Sequence, residues 1–189
     1  MEVTIGLEQA YRNNARKLKG FWVKLYLQLH GCEVGSGLKC YSFPKIRAVP
    51  KANIKIGNKV TFGYGCTLEI TNTGFLTIAD NVNITQNVLI SSATKISIGA
   101  YSLIGENVSI RDANHGINKE EKIQKQPVNS QEIIIGKDVW IGANSIVLKG
   151  SLLEDGIVIG ANSLVNGKSK TARYKVYAGN PVQFIKDRK

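Results

Sequence analysis

A single histidine stands at the root of the longest polar stretch of the chain. Residues 110–117 read I-R-D-A-N-H-G-I, and His115 is one of 2 histidines among 189 residues. Imidazole changes charge close to neutral pH. Held in a cleft, it can take the proton from an alcohol or amine that attacks a carbonyl, a step in which a positioned base contributes typically ~10²–10⁴-fold. The ordinary alternative is a solvated turn residue. Asp112, three residues earlier, could orient that imidazole or hold an acceptor hydroxyl, although aspartate is also common in turns for local reasons.

What must position these residues is a repeat of period six. Apolar residues recur in triplets: Ile56, Phe62, Leu68; Ile78, Ile84, Ile90; Ile98, Ile104, Ile110; Ile135, Ile141, Val147; Leu153, Ile159, Val165. Glycine often follows the apolar residue (Gly57, Gly63, Gly99, Gly105, Gly136, Gly142, Gly160), and the fourth place after it is small or β-branched, as at Val60, Val82, Ser102, Val139 and Ser163. Helices need spacings of three and four. A strict period of six predicts short strands joined by tight turns, three strands to a coil, with coils stacked ~4.8 Å apart. Five such coils make a prism on the order of 24 Å long, and none of them could bury its apolar face alone.

The repeat is interrupted three times. Leu68 to Ile78 and Ile90 to Ile98 are minor breaks, whereas Ile110 to Ile135 inserts residues 116–132, G-I-N-K-E-E-K-I-Q-K-Q-P-V-N-S-Q-E, directly after His115. Loops on a rigid scaffold are where chemistry concentrates. The expected organisation is an N-terminal helical and connecting segment (1–51), a repeat solenoid (52–170) carrying the inserted loop, and a C-terminal tail (171–189).

With I-I-I-G-K-D-V-W-I-G-A-N-S-I-V (133–147), V-I-G-A-N-S-L-V (158–165) and A-G-N-P-V (178–182) found together, the chain resembles the hexapeptide-repeat acyltransferases over about residues 52 to 182. The resemblance implies an all-β solenoid, a left-handed parallel β-helix, and a sugar O-acetyltransferase-like activity with acetyl-CoA as donor. It implies His115 as general base and Asn87 as an acceptor-binding residue, although asparagine ladders inside solenoids are the competing reading of Asn87. Trp140 matches a tryptophan flanking the cleft and the pantetheine arm; packing beneath a loop is its alternative. Gly142 and Ala143 match the turn whose backbone N–H stabilises the oxyanion. Ala161, like Ala143, matches a small residue facing the pantetheine. Lys168, with Lys170, Arg173 and Lys175, forms a basic cluster for the CoA phosphates, although Asn166-Gly167 stands where the family carries threonine-lysine.

The family's usual assembly is a homotrimer. Asn87 is the third residue after Ile84, in the second hexapeptide of its coil, and His115 is the fifth after Ile110, in the third. They should therefore lie on different faces of one prism and meet only across a cleft between chains. Alternatives to the sugar hydroxyl are the amine of an amino or nucleotide sugar, or serine; a structural β-helix scaffold is the non-enzymatic alternative. A γ-type carbonic anhydrase needs three histidines on zinc. With only His30 and His115, no metal site is expected.

The three cysteines, Cys32, Cys40 and Cys66, lack ligand spacing and read as free thiols in a reducing compartment. No apolar run approaches the roughly 18 residues of a membrane span and the first residues lack a signal-sequence pattern, which predicts a cytoplasmic protein. The net charge of +11 argues for an anionic partner, yet no nucleic-acid-binding motif is present. Residues 7–29 carry Leu18, Phe21, Trp22, Leu25, Tyr26 and Leu29 at helical spacing among Arg12, Arg16, Lys17, Lys19 and Lys24. This basic amphipathic helix either packs on its own domain as a cap or docks peripherally on the inner face of an anionic membrane, where a small-molecule or lipid-linked sugar acceptor would be met.

Overall fold

The computed structural model describes residues 2–189, with side chains from Glu8 onward. Helix α1 (Glu2–Leu29) precedes a parallel β-solenoid of six full three-stranded coils. The first coil is β1 (Glu33–Val34), β2 (Lys39–Cys40) and β3 (Lys45–Ile46); the second is β4 (Ile54–Ile56), β5 (Thr61–Phe62) and β6 (Thr67–Ile70). The third comprises β7 (Phe75–Ile78), β8 (Asn83–Ile84) and β9 (Leu89–Ser92), and the fourth β10 (Lys95–Ile98), β11 (Leu103–Ile104) and β12 (Ser109–Arg111). The chain then leaves the solenoid through β13 (Ala113–His115) and returns through β14 (Val128–Ser130). The fifth coil is β15 (Ile133–Ile135), β16 (Trp140–Ile141) and β17 (Ile146–Leu148), and the sixth β18 (Leu152–Leu153), β19 (Val158–Ile159) and β20 (Leu164–Val165). Finally β21 (Lys175–Ala178) adds a seventh level to the second face, and β22 (Gln183–Asp187) folds back antiparallel on it.

The solenoid is longer at both ends than the repeat predicts. Val34, Cys40 and Ile46 form a further triplet at the same step of six, and it belongs to the segment assigned to the N-terminal connection. A thiol in place of an aliphatic residue hides it, yet Cys40 is fully buried and occupies the core column beneath Phe62. At the other end the segment expected to be a tail supplies β21, with Tyr177 stacked on Ile159.

Stacking register explains the two apolar positions per hexapeptide. The strand residue and the residue four places later both point inward, so Ile104 and Val108, or Ile135 and Val139, are each at most 2% exposed. The inner angle of the triangle is narrow, which is why the second position is small. The glycine after the strand residue does not itself supply the left-handed turn. The left-handed φ lies two places further on, at Lys59, Asn81, Asn87, Tyr101, Asn107, Asp138, Asn144 and Asn162, positions where asparagine tolerates φ > 0 through local hydrogen bonding. The glycine instead lets coils approach: a Cβ on Gly105 would lie 2.7 Å from the backbone nitrogen of Ala143 in the next coil.

Helix α1 closes the open end of the first coil. Gly20 presses on the Leu38 carbonyl, where an added Cβ would meet the oxygen at 2.0 Å, and Val23 and Leu27 enter the core. The Lys19 ammonium donates to Tyr41 O at 2.8 Å and that of Lys24 to Gly35 O at 3.1 Å, filling acceptors that an uncovered sheet edge would leave open. The helix thus caps the solenoid, but with the face opposite the apolar stripe singled out in the sequence. Leu18, Phe21, Trp22 and Leu29 are all more than half exposed. At the end of the helix His30 packs on the Tyr26 ring and its Nδ1 bonds Tyr26 O at 2.8 Å.

Candidate active site

His115 ends β13, which pairs antiparallel with β14 so that His115 faces Val128, Asn114 faces Asn129 and Ala113 faces Ser130. The predicted loop is therefore a short ribbon whose histidine lies on a strand, with an exposed side chain. Gly116 N donates to Pro127 O at 3.1 Å and closes the ribbon beyond it. The tip is organised by Gln126, the buried side chain of the excursion. Its Oε1 accepts Asn118 N–H at 2.7 Å, and its Nε2 donates to Asn118 O and Glu121 O. A cavity of about 500 Å³ between Gly116, Glu121, Gln126 and Val128–Ser130 lies beside this strand. At the root, Gln131 N donates to Asp112 O and Lys149 Nζ to Asn129 O.

Asp112 is fully buried, and its carboxylate faces the solenoid rather than His115. One oxygen accepts Ala93 N–H at 2.7 Å; the other accepts the Ser92 hydroxyl and the Thr94 and Lys95 N–H groups at 2.8–2.9 Å. This carboxylate draws together the corner between β9 and β10, and no hydrogen bond joins it to His115 among the described residues. Its link to the histidine is through the backbone: it fixes the point from which β13 departs.

Asn87, Trp140, Gly142 and Ala143 lie elsewhere on the prism. Asn87 sits in the corner between β8 and β9, and it begins an amide ladder: Asn87 Nδ2 donates to Asn107 Oδ1 at 3.2 Å and Asn107 Nδ2 to Asn144 Oδ1 at 2.9 Å. The ladder ends next to Ala143, so Asn87 and Ala143 share one edge of the prism, two coils or ~10 Å apart. In that corner Gly142 N donates to Ile159 O, Asn144 N to Glu106 O, and Ala143 O accepts from Asn162 N; the Ala143 N–H enters none of these inter-coil bonds. The Trp140 indole, half exposed, lies on the second face between Leu103 and Val158. His115 departs from the opposite end of the third face. One chain thus brings Asn87, Ala143 and Trp140 together around one edge and holds His115 at another.

Ala161 continues the Ala143 edge one coil later: a Cβ on Gly142 would lie 2.6 Å from its nitrogen. Beyond it a cavity of about 450 Å³ is lined by Asn166, Lys168, Lys170, Tyr177 and Phe184. The other two cations of the expected basic cluster do not line it. Lys175 pairs with Asp187 at 3.0 Å and lies over the Phe184 ring, and Arg173 donates its backbone N–H to Glu154. The sequence reading missed Tyr177 and Phe184 at this cavity, because both fall after the last recognisable hexapeptide.

Residues 132–167 match the bacterial transferase hexapeptide (six repeats) family. The chain is 34% identical over 142 residues to WbbJ of Escherichia coli (strain K12), which is named for lipopolysaccharide biosynthesis O-acetyl transfer, with 71% of each chain covered. The chain belongs to the hexapeptide-repeat acyltransferases. It is also 32% identical over 142 residues to the dTDP-4-amino-4,6-dideoxy-D-glucose acyltransferase of Escherichia coli, covering 72% of each. Among solved structures it superposes on AntD, an N-acyltransferase from Bacillus cereus in complex with dTDP and 3-hydroxybutyryl-CoA, with a TM-score of 0.71, 25% identity and 88% of both chains covered.

Proposed function

We propose that this acyltransferase moves an acetyl group from acetyl-CoA to a sugar hydroxyl during surface polysaccharide or lipopolysaccharide assembly, with His115 as the general base. The observation that carries this reading is the presentation of His115: an exposed imidazole on a ribbon whose root and tip are both fastened by buried polar side chains, at the one long excursion of the solenoid. The kinship with WbbJ favours oxygen as the acceptor atom. The likeness to the dTDP-amino-sugar acyltransferase and to AntD supports a second reading, acylation of a nucleotide-sugar amine.

The reaction balances with these groups alone. As the acceptor oxygen attacks the thioester carbonyl, its proton passes to His115, and the tetrahedral oxyanion receives the Ala143 N–H. Collapse of the intermediate breaks the C–S bond, and the proton returns from His115 to the CoA sulfur. When bound, the CoA arm would run along the Ala143–Ala161 edge, with Trp140 flanking it and with Lys168 and Lys170 available for its phosphates.

His115 and the Ala143 edge must then come from two chains. The histidine leaves between the fourth and fifth coils; Asn87, Asn107 and Asn144 span the third to fifth. Rotation about an axis parallel to the prism preserves height, so a cyclic homotrimer would bring the ribbon of one chain level with the Asn87–Ala143 edge of the next. Asp112 is a positioning residue in this account. An acceptor screen of sugars, amino sugars, nucleotide sugars and serine, read as CoA thiol released, tests the proposal. Release with a sugar hydroxyl supports it, and release only with amines selects the second reading.

A further inference from the structure

Helix α1 has two apolar faces, and the solenoid uses one. Gly20, Val23 and Leu27 are seated on the first coil; Leu18, Phe21, Trp22, Leu25, Tyr26 and Leu29, at the i, i+3, i+4 spacing of a single stripe, face away from it and are each at least 36% exposed. A contiguous, aromatic-rich apolar stripe on a helix already anchored by its other side calls for an occupant. Charge says which kind. The first 59 residues hold eleven Lys and Arg against three Asp and Glu, so +8 of the net +11 gathers at this end of the chain. Beside the stripe, a groove of about 380 Å³ runs between α1 and the first coil, lined by Lys17, Phe21, Lys24, Leu38 and Lys39 with no carboxylate among its residues. Of these ammonium groups, that of Lys24 gives one hydrogen bond to Gly35 O.

We propose that this end of the protein docks on a bilayer containing anionic phospholipid, with Phe21, Trp22, Leu25 and Leu29 inserted at the headgroup–acyl boundary and Lys17 and Lys39 against lipid phosphates. An apolar helix face between lysines, with tryptophan and tyrosine at its margin, is the pattern that lies in a membrane interface. A second copy of the chain fits less well. Two copies meeting through this face about a two-fold axis would bring two +8 surfaces together. The inference stands on α1 and its groove, independently of which acceptor the enzyme uses.

The test is vesicle flotation of the full-length protein, with sedimentation velocity run in parallel. Wild type should float with vesicles of phosphatidylglycerol mixed with phosphatidylcholine, remain behind with phosphatidylcholine alone, and be released by salt. Phe21→Asp with Trp22→Asp should lower partitioning more than about tenfold. Lys17→Gln with Lys39→Gln, which leaves the apolar stripe intact, should lower it by about fivefold per lysine. All four side chains are outside the core, so melting temperatures should match wild type. Absence of wild-type flotation, or equal flotation on both lipid compositions, would overturn the proposal. So would undiminished flotation of the aspartate variant. If that variant instead sediments as a smaller species while wild type ignores vesicles, a second copy covers the stripe.

Discussion

Asp112→Asn separates two roles that a carboxylate three residues from the proposed general base can play. Each hydrogen bond to a buried charged group contributes ~1.5–3 kcal/mol, and Asp112 accepts four, three of them from consecutive backbone N–H groups. Asparagine keeps one acceptor oxygen and turns an NH₂ toward at least one N–H donor. It should cost about 2–4 kcal/mol, less than the sum because the corner relaxes. At about 2–4 °C per kcal/mol for a chain of this size, the melting temperature should fall by roughly 5–15 °C, measured at equal protein concentration since assembly shifts it. Turnover at a temperature where the variant is folded should fall modestly, through displacement of β13, while its pH profile keeps the parental midpoint. The reasoning is refuted if stability is unchanged and the pH profile moves, because the carboxylate would then act on the imidazole and not on the corner.

Other consequences are equally direct. If His115→Ala and Asn87→Ala are each inactive alone, co-refolding them as the proposed trimer should restore about one quarter of the active clefts in an equal random mixture; a co-refolded mixture without activity would exclude a shared site, and an Asn87→Ala variant active by itself would leave Asn87 to its ladder. Lys168→Ala with Lys170→Ala should raise the KM for acetyl-CoA at least severalfold and leave kcat nearly unchanged, and an unaltered KM would move the phosphates elsewhere. Burial, reinforced by the neighbouring Cys66, pushes the Cys40 thiol up from 9.0 to about 12. The folded state therefore holds this proton more tightly than the unfolded chain. The resulting stability is fully present below pH about 9 and is lost as pH rises toward 12, so the urea midpoint should fall more steeply there in wild type than in Cys40→Ala.

Much of the architecture was legible because a period of six admits few solutions. Ile98, Ile104 and Ile110, one triplet, occupy equivalent places on three faces, and every coil repeats them. What escaped lay where chemistry departs from the repeat. Cys40 conceals the first coil, and Tyr177 conceals the last strand. Among the non-glycine corner residues positive φ falls mostly on asparagine, two places after the glycines that follow the strand residues, because those glycines answer to the next coil and a sequence shows only the chain's own turn. For the site, the histidine and the break were visible, as was the separation of His115 from Asn87. The carboxylate of Asp112 was not assignable: proximity in sequence suggests a partner for His115, whereas its acceptors are claimed by residues 92–95, which only the coil geometry brings near. Likewise the spacing of Leu18, Phe21 and Trp22 shows a stripe but not which side of the helix the solenoid takes.

The central claim is that an exposed imidazole on the β13–β14 ribbon removes the acceptor's proton during acyl transfer. The most direct measurement compares CoA release by wild type and His115→Ala with the best acceptor across pH, together with calorimetric CoA binding. Turnover of the variant should fall by about 10²–10⁴-fold, with CoA affinity and melting temperature unchanged. Near-normal turnover would contradict the account.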